Sequence, residues 1–227
     1  MLKTILYYLV NNQFKMFKPA VAATLAALAS ANNIPIYGYY PGFVQGGNNL
    51  NISIEMFYDS ICTDSKAQNA VMNQLLETNW HGAPVFDQIS LKITYFCLPY
   101  HYHSYQVTEL FPYFMDQCVT NPDGCLFNQY KDFCFDQALN VLSLTNMGRN
   151  DFIEYWTTQV ANEFGLDQQE LYNLYFTGTS YNVDGSSRDF YKYASSNGVS
   201  GTPTAFVNGV MLDSMPGSVN AWLLTLE

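Results

Sequence analysis

Two short segments, far apart in the chain, constrain its fold more than anything else in it. The first is Ile61-Cys62-Thr63-Asp64-Ser65-Lys66, placed where a strand gives way to a helix. The second is Gly201-Thr202-Pro203-Thr204-Ala205-Phe206-Val207-Asn208-Gly209, a Thr-Pro turn running into a short strand. Asn208-Gly209 then separates two short apolar runs, the strongest local signal for a β-hairpin. A cysteine at a helix start sits where unpaired N–H groups and the positive dipole end favour a thiolate.

The residues between these segments follow a readable order. A strand is predicted over 51–58, with Ile52, Ile54, Met56 and Tyr58 alternating with Ser53, Glu55 and Phe57. A helix follows over 66–78, with Ala67, Ala70, Val71, Gln74 and Leu75 on one face, and His81-Gly82-Ala83-Pro84 stops it. A second strand covers 89–98. Val107, Leu110, Phe111, Phe114, Met115 and Cys118 then make one helical stripe, which Pro112 should kink or reset. Asn121-Pro122-Asp123-Gly124 is a turn. Leu126, Tyr130, Phe133, Cys134, Leu139 and Val141 predict the next helix, and another runs over 151–164 to Gly165. Leu166 to Leu171 combines a capping box with a hydrophobic staple, a strong helix start. Helices over 188–196 and 218–226 flank the final hairpin.

This order is α/β and resembles a thioredoxin-like fold. A helical insertion at about 104–180 separates the N-terminal strand-helix-strand unit from the C-terminal hairpin-helix unit. The similarity is to the DsbA-like branch, over residues 50–227. Phe57-Tyr58-Asp59-Ser60-Ile61-Cys62 resembles that branch's aromatic strand end and reactive turn. Leu98-Pro99-Tyr100-His101 resembles the segment after its second strand, and Gly201-Thr202-Pro203-Thr204 its cis-proline loop. The resemblance implies thiol–disulfide exchange of the isomerase or reductase kind on cysteine-containing proteins or peptides. Cys62 would be the nucleophile and Pro203 the cis proline. Thr202 would pair with an extended substrate, as a strand added to a sheet edge does, and Thr63 and Asp64 would face it.

One departure changes the expected mechanism. Ser65 stands where the family pattern has its second cysteine. In a dithiol site that cysteine resolves the mixed disulfide; a serine cannot. Release must then come from an external thiol, with glutathione as the candidate co-substrate and no bound cofactor. Ser65 is placed to donate a hydrogen bond to the sulfur, and Lys66 adds positive charge, whereas Asp64 opposes a thiolate. Two other readings stand beside this one: a glutathione-dependent transferase-like enzyme, and a non-catalytic module that holds a peptide at Thr202-Pro203.

Four cysteines remain: Cys97, Cys118, Cys125 and Cys134. They allow three pairings. If Cys125 and Cys134 share a helix, they lie about 13.5 Å apart and cannot bridge. Cys118–Cys125 with Cys97–Cys134, or Cys118–Cys134 with Cys97–Cys125, stay open. The first would close the Asn-Pro-Asp-Gly turn and is preferred. Cys97, His101 and His103 lack the spacing of a zinc site, so no metal is expected.

The formal charge of −10 without a basic run argues against nucleic acid or an anionic membrane as partner. Residues 1–31 read as a secretory leader: Lys18 precedes the apolar run from Ala20 to Leu28, and Ala29-Ser30-Ala31 is a small-residue cleavage pattern. Met16 is an alternative start. Residues 32–49, rich in Tyr, Gly and Asn, read as a flexible arm. The expected location is the secretory pathway or outside the cell, with no stable membrane anchor; the oligomeric state is left open.

Overall fold

The computed structural model describes residues 40–47, 51–176 and 183–227. The leader expectation for residues 1–31 lies outside them. The sheet is built around β2 (Ser53–Tyr58), which pairs in parallel with β5 (Ser90–Tyr95) and antiparallel with β6 (Thr204–Val207). β1 (Phe43–Gly46) closes one edge against β5, and β7 (Val210–Met211) the other against β6, giving the order β1-β5-β2-β6-β7. A central strand is covered on both faces, so strict alternation fails in β2. Ile54, Met56 and Tyr58 enter the main core, while Phe57, expected to alternate outward, is equally buried in a second cluster with Cys62.

The arm expected over residues 32–49 is, where described, part of the sheet. Phe43 pairs with Ile93 in β1, and Thr94 Oγ1 donates to the Pro41 carbonyl at 2.6 Å. The glycines there signal close backbone approach rather than a linker. Gly46 has φ 103°, and a Cβ on it would collide with the Ile89 carbonyl.

α1 (Thr63–Glu77) follows β2 as expected, but with a different inner face. Ser65, Gln68, Asn69, Met72 and Leu75 are its buried residues, while Ala67, Ala70 and Gln74 are exposed. Polar side chains face inward because they find partners there: Asn69 Nδ2 donates to Asp132 Oδ1 at 2.8 Å. Past α1 the chain makes a small hairpin, β3 (Asn79–Trp80) with β4 (Ala83–Pro84), turning through His81 and Gly82 at φ 51° and 94°. The short α2 (Val85–Gln88) leads into β5. The helix stop was legible, but the hairpin was not.

The expected long helix is two, α3 (Ser104–Thr108) and α4 (Phe111–Thr120), with Pro112 in the first turn of α4. Proline is tolerated there because its missing N–H has no intrahelical acceptor. The next stretch likewise divides into α5 (Phe127–Asp136) and α6 (Ala138–Ser143). α7 (Arg149–Phe164) ends on Gly165 in the left-handed conformation. α8 (Gln168–Leu174) starts where its cap was read, Asp167 accepting from Glu170 N at 2.8 Å. α9 (Val183–Ser196) begins earlier than expected, and α10 (Val219–Leu226) is capped by Ser218.

The helical block packs on the sheet through aromatic residues. Phe111 stacks on Tyr95 and meets Tyr130, whose hydroxyl donates to the Val107 carbonyl and accepts from Trp156 Nε1. Each such fully buried large side chain contributes about 2 kcal/mol. That packing fixes α3 and the segment before it, which supply one wall of the site below.

Candidate functional site

The reactive turn is organised by Asp59, a fully buried carboxylate at the end of β2. Its Oδ1 accepts from Ile61 N at 2.9 Å, an Asx turn that bends the chain out of the strand. Its Oδ2 accepts from Leu98 N at 2.7 Å and lies 3.2 Å from His101 Nδ1. Its backbone carbonyl accepts from Cys62 N at 3.1 Å. Asp59 therefore ties the turn holding Cys62 to the segment after β5.

Cys62 is the N-cap residue of α1, in extended backbone, and its carbonyl accepts from Lys66 N at 2.9 Å. The first N–H groups of a helix have no intrahelical acceptor, and Cys62 stands directly before them. Only 4% of Cys62 is exposed. Thr63 and Asp64, immediately after it, are exposed. Across the sheet, the Thr202–Pro203 bond is cis, and the Cys62 thiol donates to the Thr202 carbonyl at 3.7 Å. Thr202 Oγ1 is buried and has no hydrogen-bond partner among the described residues. The two segments singled out in the sequence thus meet at one sulfur.

Two expected contacts differ. Ser65 is fully buried, and its Oγ accepts from Asp59 N at 3.3 Å, so it braces the turn and has no described bond to the sulfur. Lys66 reaches away to Asp136 Oδ1 at 2.8 Å, because α5 offers it a carboxylate. Its charge is partnered there.

The remaining cysteines separate cleanly. Cys118 and Cys125 form a disulfide across the turn, as preferred. Cys97 and Cys134 are free thiols, so neither second pairing is formed. Cys125 precedes α5 instead of sharing it with Cys134. Cys134 is held in the core, where burial pushes its thiol well above the ordinary range. Cys97 donates to Thr108 Oγ1 at 3.4 Å; burial and the Asp59 charge push it up to about 12. His103 stacks flat on Phe152 and meets the Leu144 carbonyl at 3.0 Å, a packing role.

Asp59 enters the sequence reading only as part of the turn that carries the resemblance, with no role of its own. The signal was nonetheless present, since Asp two residues before a turn's N–H is the Asx-turn pattern. Thr108, which meets Ser60 Oγ at 3.1 Å beneath the turn, had no local signal because the insertion brings it there.

No family model matches the chain. No curated protein matches it either. Solved structures do share its fold. A candidate protein-disulfide isomerase from Pseudomonas syringae aligns with TM-score 0.59 and 17% identity, over 82% of this chain and 98% of that one. MdbA, a thiol-disulfide oxidoreductase from Corynebacterium diphtheriae, aligns with TM-score 0.56 and 14% identity, over 82% and 90%. The thiol-disulfide exchange protein alpha-DsbA2 from Wolbachia pipientis gives TM-score 0.52 and 14% identity, over 82% and 87%. The fold is the DsbA-like thioredoxin fold.

Proposed function

We propose that this chain, a DsbA-like thioredoxin fold with one thiol at its reactive turn, carries out thiol–disulfide exchange through Cys62 by a monothiol route. The observation that carries this reading is the meeting of Cys62 Sγ and the Thr202 carbonyl at 3.7 Å, at a helix N-terminus and beside Pro203.

The chemistry balances without a second cysteine. Cys62 loses its proton to a solvent base. The thiolate attacks one sulfur of a substrate disulfide, a Cys62–substrate bond forms, and the other sulfur leaves as a thiolate that takes up a proton. A second, external thiolate then attacks the substrate sulfur and frees Cys62. Electrons pass between substrates, and the protein returns to its starting state. Substrates are cysteine-containing proteins or peptides, held extended along Thr202 with Thr63 and Asp64 at the mouth.

Two features support an oxidising compartment. Residues 1–31 read as a leader, and Cys118–Cys125 is a structural disulfide of the kind retained outside the cytosol. Among the described residues no helix is long and apolar enough to cross a membrane.

The test is exchange on a mixed-disulfide peptide with and without Cys62→Ser. Activity in the parent that vanishes in the variant is expected. Equal rates in both would remove Cys62 from the mechanism and leave the peptide-holding reading, which the near-complete burial of the sulfur favours.

A further inference from the structure

Beside the reactive turn lies a pocket of about 320 Å³, lined by Cys97, Pro99, Tyr105, Arg188, Tyr191 and Lys192. Leu98, whose chain neighbours Cys97 and Pro99 form one wall, belongs to the apolar cluster that includes Cys62 and donates its N–H to Asp59. Phe96 belongs to that cluster too, and it stacks on Tyr191 of the opposite wall, with ring centroids 5.0 Å apart. Pocket and sulfur are therefore separated by about one layer of side chains, on the order of 10 Å.

Cations are scarce in this chain, and their placement is informative. The described residues hold six, of which two, Arg188 and Lys192, line this one pocket. Of the others, Lys66 and Arg149 are committed to Asp136 and Glu109, Lys131 is buried, and Lys92 lies over Tyr40. Arg188 and Lys192 do have partners, Asp184 at 2.9 Å and Asp189 at 3.6 Å, but both are pairs within α9 with largely exposed cations. Such exposed pairs within one helix are weak, so a ligand carboxylate can share the cations at small cost. Arg188 engages Asp184 through Nε and also meets Tyr105, and its guanidinium still presents N–H donors on a fork that fits a carboxylate. Tyr105 and Tyr191 add flat walls, and the volume suits a di- or tripeptide. The Cys97 thiol stays protonated at neutral pH and does not compete for a disulfide.

We propose that this pocket binds a carboxylate of the thiol or disulfide that exchanges with Cys62. The inference rests on the exchange reading for its purpose, and on the pocket alone for the binding. The carboxylate could be that of a small peptide thiol such as glutathione or of an acidic residue beside a substrate cysteine.

Binding is measured without chemistry, by titration calorimetry with S-methylglutathione and, separately, with an S-methylated cysteine peptide carrying flanking aspartates. Saturable binding of either, weakened about tenfold in Arg188→Gln/Lys192→Gln, is expected, the scale of two exposed ion pairs. Binding should be unchanged in Lys92→Gln, which removes a cation outside the pocket. Whichever probe binds identifies the source of the carboxylate. No binding of either probe, or equal loss in Lys92→Gln, overturns the proposal. A second readout compares exchange rates on oxidised glutathione and on neutral hydroxyethyl disulfide; only the first should fall in the double variant. Exchange absent on both, with calorimetric binding intact, would sink the catalytic reading and leave the pocket standing.

Discussion

Ser65 Oγ accepts a hydrogen bond from Asp59 N at 3.3 Å, so the residue in the second thiol's place braces the reactive turn. A cysteine there would restore a dithiol. In Ser65→Cys, oxidised glutathione should take two hydrogens from Cys62 and the new thiol, giving an internal disulfide and two reduced glutathiones. The parent should stop at a Cys62–glutathione adduct. Intact mass separates the two products. Losing the brace should cost about 1 kcal/mol, read by denaturant unfolding.

Asp59 satisfies two buried backbone donors at once, Ile61 N and Leu98 N. Asp59→Ala leaves both without their partner. At about 1–3 kcal/mol for each unsatisfied group, the variant should lose roughly 2–6 kcal/mol. The turn should also loosen, so Cys62 should alkylate faster in Asp59→Ala under conditions where both proteins remain folded. An unchanged midpoint of unfolding would show that the turn does not depend on this carboxylate.

Much of this was written locally in the sequence. The Cys62 turn, the Thr202-Pro203 loop, the Asn208-Gly209 hairpin and the Asp167 cap each depend on residues within one turn of each other, and all four form where read. What failed depends on partners distant in the chain. The inner face of α1 was misassigned because Asn69 is buried only by virtue of Asp132, and β1 resembled a linker because its pairing lies in β5. Ser65 and Lys66 were assigned to the sulfur by spacing alone, whereas Asp59 N and Asp136 compete for them. A single sequence records which contacts a residue can make, and the fold decides between them.

Glu109 is fully buried between α3 and α4, with Arg149 Nη2 at 3.5 Å from Oε1 and Oε2 unpartnered among the described residues. Burial outweighs Arg149 and pushes its carboxyl up to about 7. A carboxyl raised on folding binds its proton more tightly in the native state. Its contribution is therefore fully present below the ordinary value of 4.5 and is lost as pH rises through about 7. Glu109→Gln keeps the shape and removes the charge. It should be more stable than the parent at pH 8, by up to about 3 kcal/mol, with little difference at pH 4. Denaturant unfolding at the two pH values decides it; a variant less stable at pH 8 would mean that the Arg149 pair outweighs the burial cost.

The three free thiols should differ in reactivity for reasons of position. Cys134 lies in the core, and Cys97 is pushed up to about 12 by burial and the Asp59 charge. Since the thiolate is the reacting species, neither should label at pH 7 in the folded protein. Cys62 stands at a helix N-terminus with exposed residues beside it, and should be modified first despite its low exposure. Iodoacetamide labelling of the native protein with its Cys118–Cys125 disulfide intact, followed by peptide mass spectrometry from pH 5 to 9, gives each rate separately. A Cys62 rate well above those of Cys97 and Cys134 shows that the turn presents a reactive sulfur. A Cys62 rate no greater than theirs would show that its burial closes the sulfur off, and exchange through it would then be slow.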